Sequence, residues 1–516
     1  MTAEQGTATR DAARSLRKRR VRDRGAVAAL LLVAGALAGC TVGPDFKPPA
    51  TPTDTTYEKG GDAPLPIPAA EPAQRLAVGQ KIAADWWTLF KSPALDGVIK
   101  QALAGNPDLA AAAADLKAAQ EITTAAHGGA FPQIDAAAGV ERQRQNYAAF
   151  GLKQPPAVFN TFSVGPTVSY SLDPFGKIRR LVEQRRAEAD VRGYELNATY
   201  LALTGNVISH ALTLASLRAQ LAASEDIVAE DERTLSLVRQ RADVGIATEA
   251  DVASAEAQLA SDRMVLPPLQ QQASVARHAL SVLVGRTPAE WRPPEFALDS
   301  LTLPPEIPVT LPSELVHRRP DILAAEAELH AASAAVGVAT ASLYPDITLG
   351  GSAEQIALTT AKLFTPAGSV WSFAAGVSGP IFHGGALEAQ KRASEDNYTA
   401  SAAIYRRTVL ESFAQVADVL DGLRHDAVLL ADARMALDAA NHSLDLARQN
   451  YTAGNTALLD LLDAQRLHQR ALIGYARVEA QRYLDTSALF LAMGGGWWER
   501  PDLMPARADE TKTSAN

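Results

Sequence analysis

The chain of 516 residues contains only one cysteine, Cys40, and aromatic residues make up only 6% of it. A single cysteine excludes a disulfide within the chain and any metal site built from several thiolates. The motifs of zinc proteases, serine hydrolases and phosphate-binding loops are also missing, since Gly376-Val377-Ser378-Gly379 only approaches the hydrolase pattern. The nine histidines are scattered. We therefore expect no catalytic residue, no metal site and no cofactor, and we predict that the protein is not an enzyme.

Positive charge is scarce except at the N-terminus. Residues 1–39 contain eight Lys or Arg against three Asp or Glu, whereas residues 40–516 contain 41 against 55. Binding to phosphate backbones requires a positive surface, so nucleic acid is not an expected partner.

The basic residues lie where a secretion signal carries them. Arg17-Lys18-Arg19-Arg20 precedes an apolar run from Gly25 to Gly39, which is short for a membrane-spanning helix. The run ends in Leu37-Ala38-Gly39-Cys40, which resembles a bacterial lipobox. We expect residues 1–39 to be removed and Cys40 to be lipidated; an ordinary signal peptide with a chance cysteine is the alternative.

The remainder of the chain contains an internal repeat. Asn106-Pro107-Asp108-Leu109 reappears as Arg319-Pro320-Asp321-Ile322 at an offset of 213, and Phe131-Pro132 reappears as Tyr344-Pro345 at the same offset. Further along, Arg239-Gln240 and Gly245 match Arg448-Gln449 and Gly454 at an offset of 209. Two equal halves indicate one structural unit used twice.

The predicted organisation follows from the repeat and from composition. A proline-rich segment over 40–82 reads as an extended strap rather than a core. We place the first repeat at 83–300, the second at 301–497, and a disordered tail at 498–516.

Each repeat contains two segments that alternate between apolar and small polar residues. They are predicted as strands at about 133–146 and 158–173 in the first repeat, and at about 346–355 and 369–382 in the second. A soluble sandwich and an outer-membrane barrel both fit this alternation. Four strands cannot close a membrane barrel, and lipid does not tolerate open edges, so a membrane location requires several chains to complete one barrel.

The remaining segments are predicted to be unusually long helices. From Lys177 to about Asp243 there is no proline, and Leu387 to about Tyr451 repeats this pattern. A shorter helix follows each one, and the first of these must kink or break at Pro267-Pro268. Apolar residues recur every three or four positions, as in packed helical hairpins. The fold class is therefore mainly α with a small β part, and the hairpins turn at about 243–248 and 452–456.

Several motifs in the expected order resemble one family. Cys40 to Phe46 resembles the segment after the lipobox in the OprM/NodT lipoprotein branch of TolC-type outer-membrane efflux factors. Ser171 to Arg179 resembles a strand-to-helix junction of that branch, and Pro380 to Gly385 is its counterpart in the second repeat. Ala492 to Trp497 resembles the terminal motif. The resemblance extends from Cys40 to Trp497.

The resemblance implies a homotrimer with a shared twelve-stranded barrel and a helical periplasmic tunnel. It also implies localisation in the outer membrane of a Gram-negative bacterium, a periplasmic adaptor protein, and an inner-membrane pump of the RND type. The hairpin tips would contact the adaptor; we assign this role to Val244, Gly245, Ala453 and Gly454.

The resemblance also locates a gate. Leu459 and Asp463 are four residues apart, so they lie on one face of a helix, and threefold symmetry would convert each into a ring. In the family, the equivalent positions form the periplasmic constriction, to which Asp460 adds charge. Tyr451 and Asp251 match a pair that bonds neighbouring hairpins in the closed state. A family arginine that helps to lock the turn is replaced here by Thr456, and its partner by Ala250, so the lock is expected to be weaker or to depend on Leu459.

The main hypothesis is the exit duct of a tripartite efflux pump for drugs or other small molecules. A duct for type I protein secretion has the same fold. A non-conducting envelope lipoprotein is the alternative from another class, although the alternating strands argue against it.

Overall fold

The computed structural model describes residues 41–59, 74–146, 151 and 153–499. The expectations for residues 1–40, which include Cys40, and for the tail beyond Glu499 lie outside these residues. The helices are α1 Pro93–Gly105, α2 Pro107–Gly128, α3 Lys177–Asp243, α4 Glu249–Arg263, α5 Leu266–Leu283, α6 Pro312–Leu315, α7 Pro320–Ala341, α8 Ala386–Ala453 and α9 Leu458–Ala492. The strands are β1 Arg75–Val78, β2 Gln133–Gln145, β3 Ala157–Leu172, β4 Glu306–Val309, β5 Asp346–Ala357 and β6 Ser369–Ser378.

The long helices end where local chemistry requires it. The break expected at Pro267-Pro268 lies between Arg263 and Leu266, because the prolines occupy the first turn of α5, where no intrahelical amide donor is needed.

Two helices, Lys177–Asp243 and Pro320–Ala341, contain an 18-residue window apolar enough to cross a membrane. That window of the first helix is 67% buried within the protein, as in the core helix of a soluble domain.

The chain divides into two compact units. One comprises residues up to 48 together with 118–189 and 327–403; the other comprises 49–117, 190–326 and the residues from 404 onward.

The first unit contains a four-stranded antiparallel sheet in the order β2-β3-β5-β6. The central pair, β3 with β5, joins the two repeats, and each outer strand pairs with its hairpin partner. Both edge strands, β2 and β6, are almost entirely exposed, including Ile134, Trp371 and Phe373 at 72%, 77% and 72%. Strand β6 ends at Ser378, earlier than the predicted end at 382, because Gly379-Pro380 follows and proline cannot donate to a ladder.

The first unit also holds the start of the described chain. Arg180 of α3, whose side chain is 5% exposed, forms ion pairs with Asp45 at 2.6 Å and with Glu183 at 2.7 Å. The Phe46 ring stacks on His330 of α7, with ring centres 4.3 Å apart. Residues 41–48 are thus fixed against α3 and α7 immediately after Cys40.

The second unit contains the main hydrophobic core. Its largest buried side chains come from distant parts of the sequence and include Trp86, Phe90, Tyr200 and Phe490. Trp86 stacks on Phe490 with ring centres 4.9 Å apart. A two-stranded parallel sheet of β1 and β4, which the sequence did not predict, lies in the same unit.

A separate, smaller hydrophobic cluster lies at the hairpin tips in the second unit. Its buried members are Leu235, Val238, Ala255, Leu259, Leu444, Tyr451, Leu458, Leu461, Leu462 and Ala464. They come from α3, α4, α8 and α9, so one cluster joins the two hairpins of the chain near their turns.

Candidate gate at the tips of the helical hairpins

Both hairpins turn through the same backbone motif. At the end of α3 the Gly245 amide donates to the Ala242 carbonyl at 2.9 Å, and the Ile246 amide donates to the Arg241 carbonyl at 2.8 Å. At the end of α8, Gly454 and Asn455 make the equivalent bonds at 3.1 and 2.8 Å. This is the Schellman arrangement, and it requires positive φ, which is 74° at Gly245 and 77° at Gly454.

The two helices that follow the turns begin differently. Thr248 caps α4 with a complete capping box: its hydroxyl accepts from the Asp251 amide at 3.2 Å, and its own amide donates to the Asp251 carboxylate at 2.8 Å. The Thr248 hydroxyl also donates to the Asp251 carboxylate, at 2.8 Å, and the bonds from the Thr248 amide and hydroxyl lower the pKa of Asp251. Asp251 is therefore held as a carboxylate at the start of α4.

At the start of α9 the equivalent capping hydroxyl is missing, because Ala457 occupies the position of Thr248. The Asp460 carboxylate still accepts from the Ala457 amide at 3.2 Å, and the Thr456 hydroxyl donates to the same carboxylate. Thr248 is thus the cap of α4, whereas Thr456 lies one residue before the cap position of α9 and acts through Asp460. Asp460 is thus the counterpart of Asp251 in the second repeat.

The first two turns of α9 have a buried apolar face and an exposed face. Leu458, Leu461 and Leu462 are buried in the tip cluster. On the opposite side Leu459 is 62% exposed, and the Asp463 side chain is 53% exposed. Asp463 forms an ion pair with Arg466, one turn further along the same face.

Tyr451 lies at the end of α8 and is buried, with 6% of its surface exposed. The Arg241 guanidinium lies over its ring, 4.4 Å from the ring centre. Arg241 also donates to the carbonyl oxygens of Tyr451 at 3.0 Å and Thr452 at 3.1 Å. Arg241 therefore ties the end of α3 to the end of α8 through three contacts.

Comparison with known proteins identifies the molecule that carries these tips. A sequence model described as "Outer membrane efflux protein" matches residues 98–286 and 311–495. The chain belongs to the outer membrane efflux protein family. The pyoverdine export outer membrane protein OpmQ of Pseudomonas aeruginosa PAO1 is 32% identical over 447 residues, which are 84% of this chain and 93% of OpmQ. Outer membrane protein OprJ of the same strain is 30% identical over 481 residues. The aligned residues are 92% of this chain and 97% of OprJ.

The solved structure of the outer-membrane channel OprN has the same fold. It superposes with a TM-score of 0.80 at 28% identity and covers 89% of this chain and all of OprN. The expected TolC-type family is therefore confirmed, and this efflux protein is an exit duct of the outer membrane.

The tips of the efflux protein bring together part of the predicted gate. Leu459 and Asp463 lie on one exposed face of α9, as their spacing predicted. Tyr451 and Asp251 are not hydrogen-bonded to each other in the described part of the chain: Asp251 caps α4, and the Tyr451 ring contacts Arg241. Their role between neighbouring chains stays a prediction.

Two residues of the efflux protein's tip were not singled out from the sequence. Arg241 was overlooked, although the 209-residue offset aligns it with Asn450, one of the differences between the repeats. Arg466 was also overlooked; its position three residues after Asp463 is the spacing at which opposite charges meet on a helix.

Proposed function

We propose that three copies of this efflux protein form one duct, which Leu459 and Asp463 close at rest. The observation that carries the proposal is the exposed face of α9, where a leucine and a carboxylate lie next to a tightly fixed turn. A threefold axis would bring three such faces together and turn each leucine and each carboxylate into a ring.

The sheet supports the trimer. Strands β2 and β6 form its two edges, and neither finds a further partner among the described strands. Unpaired strand edges are not stable in lipid, so the sheet must continue into the sheets of other copies. Three sheets of four strands give the twelve-stranded barrel that the sequence predicted.

The lipid anchor is proposed at Cys40. The nearby Asp45 and Phe46 are held by the Asp45–Arg180 ion pair and the Phe46–His330 stack, so an acyl chain on Cys40 would be followed by a segment that packs on α3 and α7. Acyl chains contribute about 0.8 kcal/mol per buried CH₂, which adds a second anchor to the barrel. Mass spectrometry of the mature N-terminus should show lipidated Cys40; an unmodified N-terminus elsewhere would contradict it.

The turns are proposed as the docking points of a periplasmic adaptor, which in turn binds an inner-membrane pump of the RND class. Val244 and Ile246 are 69% and 74% exposed at the first turn. Gly245, Ala453 and Gly454 are small, and a Cβ placed on either glycine would meet nothing within 4 Å. Exposed apolar residues flanked by small ones allow close approach of a partner. The pump supplies the energy and selects the small-molecule cargo.

The proposal is tested by recording the purified protein in planar bilayers after its mass has been measured in detergent. We expect about three chain masses after correction for the micelle, a low resting conductance and cation preference from the carboxylates. A well-behaved monomer that conducts ions would contradict the trimer. A trimer that conducts as widely as a permanently open pore would contradict the gate and leave the trimer intact.

A further inference from the structure

A cavity of 290 Å³ lies in the wall of the second unit, between α3, α8 and α9. It lies between the two hairpins of one chain and adjoins the tip cluster, with which it shares Leu444. Two contacts with α3 border the cavity. Arg448 of α8 forms an ion pair with Glu230 at 3.1 Å, and Gln465 of α9 donates to the Thr234 hydroxyl at 3.0 Å. A change in the packing of the hairpins would therefore change the cavity.

The cavity is lined by buried acceptors that lack donors and by one buried donor, Arg448 Nε, that lacks an acceptor in the described part of the chain. Asp231 is 3% exposed, and neither carboxylate oxygen accepts from an N–H or hydroxyl group of the described chain. Gln465 is 5% exposed, and its Oε1 has no partner in the same part of the chain. Buried acceptors in folded proteins almost always have a donor, so three such oxygens in one cavity indicate that something supplies donors there.

Asp231 also meets a second acid. Asp262 of α4 is 4% exposed, lies beside Asp231 and accepts from the Gln258 amide at 2.7 Å. Burial, and then the neighbouring Asp262, raises the pKa of Asp231 to about 8. One proton held by the two acids relieves their repulsion, but it leaves Gln465 Oε1 without a donor.

The other charged groups around the cavity nearly balance. Asp226, Glu230 and Arg233 line it from α3, Arg448 lines it from α8, and His468 lines it from α9. Burial and Arg448 lower the pKa of His468, so this ring is neutral near neutral pH. When Asp231 ionises, the site gains a negative charge that Arg448, already paired with Glu230, does not neutralise.

We infer that this cavity is a binding site for a small organic cation that carries N–H donors, a primary alkylammonium, held by the Asp231 carboxylate and Gln465 Oε1. The cation and the proton compete for Asp231. The site lies within one chain, so the inference does not depend on the proposed trimer or gate.

The chemistry of the site selects this class of ligand. An alkylammonium has three N–H donors, which match the two oxygens of Asp231 and the one of Gln465. Ile227, Leu444 and Leu472 also line the cavity and suit the alkyl end. The described residues contain no group of three or more His, Cys, Asp or Glu able to hold a metal ion, so a directly ligated metal does not fit.

Hydrogen–deuterium exchange on the purified full-length protein tests the inference, with methylammonium as the probe. At about pH 9, where Asp231 is ionised and an alkylammonium stays protonated, methylammonium should slow exchange in residues 226–233 and 462–469. Exchange through a local opening that releases the ligand slows by 1 + [L]/Kd, about tenfold when the ligand is about ten times its Kd. At about pH 6 the slowing should be lost, because a neutral Asp231 cannot pair with the cation.

The controls separate binding from general salt effects. Tetramethylammonium has the same charge without N–H donors and should give no slowing at equal ionic strength. Asp231→Asn, which resembles the protonated acid, should abolish the effect of methylammonium, and Gln465→Met should weaken it, whereas Asp243→Asn at the exposed tip should leave it unchanged. Equal protection by both cations, protection that survives Asp231→Asn, or no protection at about pH 9 would each overturn the inference.

Discussion

The guanidinium of Arg241 lies 4.4 Å above the centre of the Tyr451 ring and donates to the Tyr451 carbonyl oxygen at 3.0 Å. One side chain of the first hairpin therefore holds both the ring and the backbone at the end of the second. In the alignment of the two repeats Arg241 matches Asn450, so the second hairpin has no arginine at the position that would make the reciprocal contact. Any movement of the α8–α9 turn away from α3 must break it.

Removing this contact should loosen the closed tip. We expect Arg241→Ala to raise the single-channel conductance in planar bilayers, since a partly exposed cation–π contact and two charge-assisted bonds stabilise the closed arrangement by about 1–3 kcal/mol. Arg239→Ala is the matched control, because the ion pair of Arg239 among the described residues is with Glu256 of the following helix. Identical conductance of the two variants would show that Arg241 does not hold the gate.

Tyr451→Phe combined with Asp251→Ala tests the predicted bond between neighbouring hairpins. Tyr451→Phe keeps the ring beneath Arg241 and removes the hydroxyl. An effect of this single variant would report a contact of the hydroxyl, which we predict to be with another copy. We expect the double variant to raise conductance; no change relative to the parent would remove the pair from the closing mechanism.

The two carboxylates of α9 should behave differently. Asp463→Ala removes an exposed charge and should reduce cation preference and block by trivalent cations. Asp460→Ala removes the acceptor of the Ala457 amide and the Thr456 hydroxyl, and should cost about 0.5–2 kcal/mol of helix stability.

Reversal potentials and block by a trivalent cation measure the first effect, and hydrogen exchange at the start of α9 measures the second. If the double variant of Asp460 and Asp463 matches the parent in selectivity and block, these residues are only part of the solvated helix surface.

Asp426 provides a prediction about pH. It is 7% exposed in α8, and burial, followed by the neighbouring Asp485, raises its pKa to about 7. A folded-state pKa above the unfolded one gives stability that is complete below the unfolded pKa and is lost as pH rises through about 7. Asp426→Asn should therefore stabilise the protein at alkaline pH, by about 1–3 kcal/mol, and flatten the pH profile. Arg482 keeps its bonds to Gln74 and to the Leu423 carbonyl.

Thermal unfolding at several pH values checks this expectation, with Asp418→Asn on the exposed face of α8 as control. A profile that keeps its slope in Asp426→Asn would show that another group titrates.

The strap after Cys40 can be displaced by a single methyl group. Gly43 has φ of 94°, and a Cβ there would lie 2.5 Å from the Gly337 Cα of α7. Gly79 has a similar φ of 84°, but a Cβ there would meet nothing within 4 Å. Gly43→Ala should therefore expose residues 41–48 to limited proteolysis more than Gly79→Ala does, since only the first adds a clash to the backbone strain. Equal cleavage in both variants would mean that the close approach to Gly337 does not fix the strap.

The parts of the fold that repeat locally were predictable from the sequence. Alternation placed β2 and β3 within a residue or two of their observed ends, and the absence of proline gave α3 its full extent from Lys177 to Asp243. The pairing of β1 with β4 was not predictable, because Arg75 and Glu306 lie far apart in sequence and each strand has only four residues. Short strands without alternation carry too little pattern to be recognised.

The positions of the predicted gate residues on α9 followed from the sequence, whereas their contacts did not, and their role as a gate stays a prediction. The spacing of Leu459 and Asp463 fixed their common face, and the glycines at 245 and 454 fixed the turns. That the Asp460 carboxylate accepts from the Ala457 amide, and that Arg241 covers Tyr451, depends on three-dimensional positions which spacing along one helix does not encode. The contact between the acids Asp231 and Asp262 was not predictable either, because the two residues lie in different helices.

The pairing of β3 with β5 has a consequence for biogenesis. Phe162 pairs with Ala357, almost 200 residues later in the chain, and all of α3 to α7 separates the two strands. Until residue 357 has been exported, the edge of β3 that pairs with β5 has no partner. Its unpaired backbone groups can then pair with the wrong strand. Such long-range closure is slow. Chaperones that guard extended chains should therefore matter more for the yield of this protein than the final stability of its sheet does, and truncation before β5 should give aggregation rather than a half-size channel.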